Sequence, residues 1–254
     1  MKNILLTISY DGTPYSGWQR QPDARTVQGE TERVLSELCG FEVSIDGTSR
    51  TDAGVHALGQ CATFSGDIKI PTDRICLAAN NLLPESIRLV AAEEVPEHFH
   101  ARFDSKGKTY VYKIIASSDV DPFLRNYYYF AGEGLDTASM REAAAAVLGT
   151  HDFKSFEASG SYERKTTVRT ISGIDVKEKD AETPSGRVLD EIDVEVTGDG
   201  FLYNMVRIIA GTLVDVGRGK INAGELPHII EGKDRALAGH TAPPQGLYLK
   251  KIFF

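Results

Sequence analysis

Apolar and polar residues alternate from the start of the chain. Ile4, Leu6, Ile8 and Tyr10 fall on one side of Leu5, Thr7 and Ser9, which predicts a strand over residues 3–10 turned by Asp11-Gly12. The period then changes. Thr26 is placed to cap a helix that runs through Leu38 and stops at Gly40, burying Val27, Val34, Leu35 and Leu38 on one stripe. Phe41, Val43 and Ile45 alternate with Glu42 and Ser44, and residues 41–45 and 60–64 read as two short strands that flank a polar loop around Asp52. Residues 72–82 read as a helix and 86–95 as a strand.

A second set of elements begins near residue 107. Tyr110, Tyr112 and Ile114 share one face of a strand over 108–116. Asp136 or Thr137 opens a helix containing Met140, Ala143, Val147 and Leu148 and closed by Gly149. Residues 167–176 and 187–196 form a hairpin across Thr183-Pro184-Ser185-Gly186. Helices follow over 203–216 and 226–237, and a closing strand starts at Gly246-Leu247. Helices alternate with strands that come in hairpins, which predicts an α+β chain with a mostly antiparallel sheet rather than a doubly wound parallel one. The polar, glycine-ended stretch Asp104-Ser105-Lys106-Gly107 divides two halves of similar element order, residues 1–105 and 106–254.

Composition narrows the class. The 254 residues are 41% hydrophobic and 25% charged, enough for a substantial core and unlike a disordered chain. No apolar run is long enough to cross a bilayer, and the N-terminus reads straight into a strand, so a cytoplasmic protein is expected. Cys39, Cys61 and Cys76 are widely spaced and odd in number, which suits small buried hydrophobes better than a disulfide framework. The formal charge of −8 argues against a nucleic-acid partner, but its distribution is uneven. Acids crowd residues 175–195. Arg102, Lys106, Lys108 and Lys113 fall close together, as do Arg164, Lys165 and Arg169.

The densest chemical signal is Gly47-Thr48-Ser49-Arg50-Thr51-Asp52-Ala53-Gly54-Val55-His56-Ala57. An acid near a fixed cation in a scaffolded loop stays ionised, as a nucleophile or base requires, although Asp-x-Gly is also an ordinary tight turn. Gly217-Arg218-Gly219-Lys220 lacks the spacing of a phosphate-cradling loop, and there is no Gly-x-Ser-x-Gly elbow. His98 and His100, or Asp52 and His56, offer pairs of metal ligands, short of the three or four a metal site uses. Trp18 sits in a polar loop. Tyr110 and Tyr112 interleave with Lys108 and Lys113. Arg207 lies in an apolar helix, where a buried guanidinium needs a partner; Asp52 would serve, and a structural ion pair is the alternative.

The loop residues Ser49 to Ala57 resemble the active-site loop of the TruA family of tRNA pseudouridine synthases. Further blocks resemble the family in order along the chain: Tyr10-Asp11-Gly12 with Gly17-Trp18-Gln19, Phe99-His100-Ala101-Arg102-Phe103, Lys108-Thr109-Tyr110-Val111-Tyr112, Asn204-Met205-Val206-Arg207, and Ala242 to Leu249. Ser49 stands where the family usually has glycine. The resemblance implies the pseudouridine-synthase fold, two α+β halves sharing a sheet with a cleft between them. It implies conversion of uridine to pseudouridine at positions 38, 39 and 40 of the tRNA anticodon stem-loop, by a homodimer, with no metal or organic cofactor and no membrane. The target base is flipped out. By the same resemblance Asp52 is the nucleophile, Arg50 holds the flipped nucleotide or fills its place, and Tyr110 stacks on the uracil and takes a proton. Arg207 pairs with Asp52, Leu247 walls the pocket, and Arg102, Lys106, Lys108, Arg164, Lys165 and Arg169 contact phosphates. Two rival readings remain, a non-catalytic tRNA binder on the same scaffold and a metal-dependent hydrolase using His56, His98 and His100.

Overall fold

A computed structural model describes residues 1–160 and 165–254. The chain divides into two compact units, Met1–Lys106 with Tyr248–Phe254, and Gly107–Leu247. The first division falls inside the polar stretch at 104–107. Tyr248–Phe254 group with the first unit, whereas the two-half reading placed them with residues 106–254.

The first unit is built on strands β1 (Lys2–Tyr10), β2 (Asp46–Gly47), β3 (His56–Gly66), β4 (Ile87–Val95) and β10 (Leu247–Phe253). Strand β1 lies antiparallel between β3 and β4, and β10 joins the other side of β3 in parallel, Tyr248 against His56 and Leu249 against Ala57. Helices α1 (Val27–Cys39) and α2 (Thr72–Asn80) complete it. Helix α1 begins and ends where its sequence directs. The Thr26 hydroxyl accepts from the Gly29 N–H, and Gly40 takes the left-handed conformation (φ 73°) that a side chain would resist.

Two expectations fail here for one reason. The face of α1 that turns inward carries Gln28, Thr31 and Glu32 as well as the aliphatic stripe, while Leu38 is only half-buried. Residues 41–45, expected as a strand, do bury Val43 and Ile45 in alternation, but their backbone bonds go to that polar face. The Ile45 N–H donates to Glu32 Oε1 (3.0 Å), the Val43 N–H donates to Ser36 Oγ (2.8 Å), and Gln28 Nε2 donates to the Ile45 carbonyl (3.1 Å). Of residues 41–47, those of β2 alone pair with β3. The buried polar groups of α1 thus replace a ladder.

The second unit contains β5 (Gly107–Ile115), β6 (Tyr129–Phe130), β7 (Gly149–Asp152), β8 (Val168–Glu182) and β9 (Val188–Gly198), with helices α3 (Thr137–Ala145), α4 (Met205–Gly217) and α5 (Leu226–Gly232). Strands β5, β9, β8 and β7 follow one another in antiparallel order, and β6 lies parallel to β5. The expected hairpin is present and longer than expected. Asp136 caps α3, accepting from the Ala138 and Ser139 N–H groups, but the helix ends at Ala145, before Gly149 (φ 105°) opens β7. Helix α5 stops at Lys233, held left-handed at φ 52°, and a separate 3-10 turn covers Arg235–Leu237, so the single helix expected over 226–237 is two pieces. Helix α4 is apolar around nearly its whole circumference and is buried accordingly. Ten strands, mostly antiparallel, and five α-helices among the described residues make the α+β class read from the sequence.

Candidate active site

The Asp52 loop bridges β2 and β3, and the first unit grips it at several backbone atoms. Thr48 donates to the Cys61 carbonyl through its N–H (2.8 Å), and its hydroxyl reaches the Ala101 carbonyl at 3.2 Å. Gln60, fully buried, donates to the Ser49 carbonyl at 2.6 Å. The Trp18 N–H donates to the Thr51 carbonyl (3.0 Å), and the Tyr10 hydroxyl meets Thr51 Oγ1 at 2.6 Å. The Val55 N–H closes the turn on the Asp52 carbonyl at 3.1 Å.

Two glycines allow this closeness. A Cβ on Gly17 (φ 93°) would stand 2.7 Å from the Thr51 carbonyl oxygen, and one on Gly12 would stand 2.0 Å from that of Val55. Trp18, which the sequence left in a polar loop, is buried beneath these residues. A Cβ on Gly47 would lie 2.5 Å from its indole nitrogen, so the tryptophan is core and not a stacking platform. Ser49 keeps an ordinary negative φ, so the local backbone does not require the glycine usual in the family. The result is a rigid mount in which Asp52 is half-buried and Arg50 is exposed.

The next residue after the loop is pinned as well. His56 is buried, stacks on Tyr248 with ring centroids 4.6 Å apart, accepts from the Gly12 N–H at Nδ1 (3.1 Å) and lies 3.2 Å from Asp11 Oδ1. His98 is exposed, and His100 Nδ1 accepts from the Arg102 N–H. Among the described residues no group of three or more His, Cys, Asp or Glu side chains is gathered as metal ligands.

In the second unit, Tyr110 is buried in β5 opposite Val196 and meets Phe201 edge-on at 5.2 Å. Tyr112, two residues on, is wholly buried and donates to the Pro243 carbonyl (2.6 Å). Burial raises its hydroxyl well above the ordinary tyrosine range, against the opposing pull of Arg207. Arg207 lies in the first turn of α4 and is half-buried rather than enclosed. Its Nε donates to the Ala242 carbonyl (2.8 Å) and its Nη1 donates to Asn204 Oδ1 (2.7 Å). Leu247 is buried at the start of β10, directly after the 3-10 turn Pro244–Gly246.

The basic candidates differ in setting. In the first unit Arg102 is exposed with its guanidinium over the Phe103 ring, and Lys106 is exposed. In the second, Lys108 and Arg169 are half-buried and Lys165 is exposed, while Arg164 falls outside the described residues. The acidic run is not a bare negative field. Asp175 pairs with Lys177, Glu178 with Arg141, and Glu191 and Asp193 are buried against Lys179, with Lys113 also on Glu191. Sequence reasoning missed Gln60, Asn204 and Ala242. Each acts through amide or carbonyl groups, a role with no periodic signature, although Asn204 and Ala242 lie in blocks that carry the resemblance.

A family model described as tRNA pseudouridine synthase matches residues 6–104 and 143–254. The chain is 50% identical to the tRNA pseudouridine synthase A of Ruminiclostridium cellulolyticum and 48% identical to that of Acetivibrio thermocellus, each over the full length of both chains. It is 46% identical to the tRNA pseudouridine synthase A 2 of Clostridium tetani, over all of this chain and 99% of the relative. Matched at this identity from end to end, the chain belongs to the tRNA pseudouridine synthase family, whose members are isomerases.

Proposed function

We propose that the protein isomerises uridine to pseudouridine in the anticodon stem-loop of tRNA, at positions 38, 39 and 40, with Asp52 as the nucleophile. The observation that carries this is the mount of Asp52, a half-buried carboxylate in a loop whose preceding residue is fixed at both its carbonyl and its hydroxyl. A reacting group held this way has its orientation settled before substrate arrives. In the reaction the ribose C1′–N1 bond breaks, the uracil turns, a C1′–C5 bond forms, the C5 proton leaves and N1 gains one. Atoms and charge balance without an added redox partner.

The other roles follow the family resemblance. Tyr110 stacks on the flipped uracil and receives the C5 proton; its ring is already oriented by Phe201. Arg207 supplies the cation that keeps the nucleophile ionised, and two hydrogen bonds fix its guanidinium. Arg50, exposed at the loop, holds the flipped nucleotide, and Leu247 supplies an apolar wall. Arg102, Lys106, Lys108, Lys165 and Arg169 contact phosphates. The protein works in the cytoplasm as a homodimer, which would combine two modest basic faces on one tRNA. No helix among the described residues is long and apolar enough to cross a membrane.

The test is tritium release from tRNA carrying C5-tritiated uridine in the anticodon arm. The wild-type protein releases tritium, and Asp52→Ala abolishes release while tRNA still binds. Wild-type protein that binds tRNA without releasing tritium would leave the non-catalytic binder as the better reading.

A further inference from the structure

Asp215, His240 and Tyr129 form a line of hydrogen bonds that the proposed reaction does not use. Asp215 Oδ2 accepts from the His240 backbone N–H (3.2 Å) and stands 2.8 Å from His240 Nδ1, while His240 Nε2 stands 3.1 Å from the Tyr129 hydroxyl. With Nδ1 donating to the carboxylate, the neutral ring presents Nε2 as an acceptor to Tyr129. Asp215 is buried, and besides this ring it has Lys220 at 3.5 Å and Arg218 at 3.8 Å.

Position along α4 gives the line its meaning. Arg207, Gly211 and Asp215 are spaced four apart, so they share one face of the helix. The segment 239–243 runs along that face in the opposite direction as a strap. The Gly239 N–H donates to Thr212 Oγ1 (3.0 Å), His240 is held by Asp215, and the Ala242 N–H donates to the Arg207 carbonyl (3.1 Å). The approach is too close for any side chain at the centre: a Cβ on Gly211 would lie 1.9 Å from the His240 carbonyl oxygen. At the far end the strap's Ala242 carbonyl takes the Arg207 Nε–H.

We infer that Asp215 is a positioning residue for Arg207, acting through His240 and the strap two helical turns away. The strap has little freedom of its own. It is clamped at 239–240 by α4, and Tyr112 holds the carbonyl of Pro243. Release of His240 from Asp215 shifts the strap between its remaining holds at Gly239 and Pro243, and the Ala242 carbonyl that orients the guanidinium, two residues on, shifts with it. This deepens the function proposed above and rests on the role given there to Arg207.

The experiment uses the full chain and two readouts. The first is the Arg207 Nε–H signal in ¹⁵N-resolved NMR, identified by its loss in Arg207→Lys. Asp215→Ala shifts this signal, and Asp215→Asn, which keeps the shape and one acceptor, shifts it less. The second is single-turnover uridine conversion at saturating tRNA. Asp215→Ala slows it on the order of 100-fold with tRNA affinity unchanged, as small misplacements of a reacting geometry do, and Asp215→Asn recovers part of the rate. If Asp215→Ala does not fold, Asp215→Asn decides by the same two readouts. A lowered melting temperature with an unmoved Arg207 signal and a wild-type rate would reduce Asp215 to a structural clip and overturn the inference. Failure of the wild-type protein to convert uridine would instead overturn the proposed function, and the NMR signal alone would then decide the strap.

Discussion

Tyr10 and Thr51 share a buried 2.6 Å hydrogen bond between hydroxyls, joining the last residue of β1 to the residue before Asp52. Neither hydroxyl is near solvent, so each substitution here acts on the loop and not on a wet surface.

Tyr10→Phe and Thr51→Val each remove this bond, and each is expected to cost about 1–3 kcal/mol, the penalty of leaving a buried polar partner. The double variant costs less than the sum, because both substitutions remove the same bond. Urea denaturation of the four proteins measures the cycle through midpoints at constant slope. Conversion should slow in both single variants. An additive cycle would mean the two hydroxyls are energetically independent.

Gly17→Ala probes the same loop from the opposite side. Gly17 is left-handed, which costs a side chain about 1–2 kcal/mol. The new methyl would also press on the Thr51 carbonyl oxygen from 2.7 Å. Conversion is expected to fall about 10-fold or more, since the displaced atoms adjoin Asp52, with tRNA affinity retained. Gly173→Ala is the control. A Cβ there meets nothing nearer than Thr197 Cβ at 3.8 Å, and conversion should stay at the wild-type level.

What could be read from sequence, and what could not, divides along physical lines. Thr26 and Gly40 marked α1 because caps act within a few residues, and the Thr167–Val196 hairpin showed because alternation repeats over a long run. The strand assigned to 41–45 failed although its alternation was right. Its partner was the Glu32 and Gln28 side chains, and nothing local distinguishes a polar residue aimed inward from one in solvent. The helix over 226–237 failed because Lys233 takes a left-handed conformation that lysine does not advertise. In the site, Asp52 and Arg207 stood out as charges in unusual settings. Gln60, Asn204 and Asp215 did not, because they work through hydrogen bonds whose partners are brought near only by folding.

The buried acids of β9 give a pH prediction. Lys179 Nζ lies 3.1 Å from Glu191 Oε1 and 2.5 Å from Asp193 Oδ2. Burial raises Asp193, and Lys179 only partly offsets it. Burial also opposes the charge of Glu191, but hydrogen bonds and the two lysines bring it below its ordinary value. For Glu191, lowered in the fold, the stability gained is present above the ordinary glutamate range and lost as pH falls through the folded value. For Asp193, raised in the fold, the gain is present below the ordinary aspartate range and lost as pH rises through the folded value. Lys179→Met removes the cation that lets both ionise. Its destabilisation should therefore be smaller near pH 4 than at pH 7, the change coming chiefly from Asp193, whose raised value puts its ionisation inside that range, measured by urea denaturation at the two values. A pH-independent loss would mean that Lys179 contributes through its aliphatic stem.

Asn204 combines two demands in one residue, and substitutions can separate them. It opens α4 in the left-handed conformation (φ 58°), and its Oδ1 accepts from Arg207 Nη1 at 2.7 Å. Asn204→Gly satisfies the backbone and removes the acceptor. Asn204→Ala removes the acceptor and adds about 1–2 kcal/mol of left-handed strain. Thermal denaturation should place the glycine variant below wild type by the lost bond and the alanine variant lower still by the added strain. Conversion at saturating tRNA should fall in both by a similar factor, about 10-fold or more, because a hydrogen bond to a charged group contributes about 1.5–3 kcal/mol and both variants lose the same one. A glycine variant with full conversion would show that Asn204 serves the helix start alone. The guanidinium would then be oriented from the Ala242 side, and the strap held by Asp215 would carry more of the task.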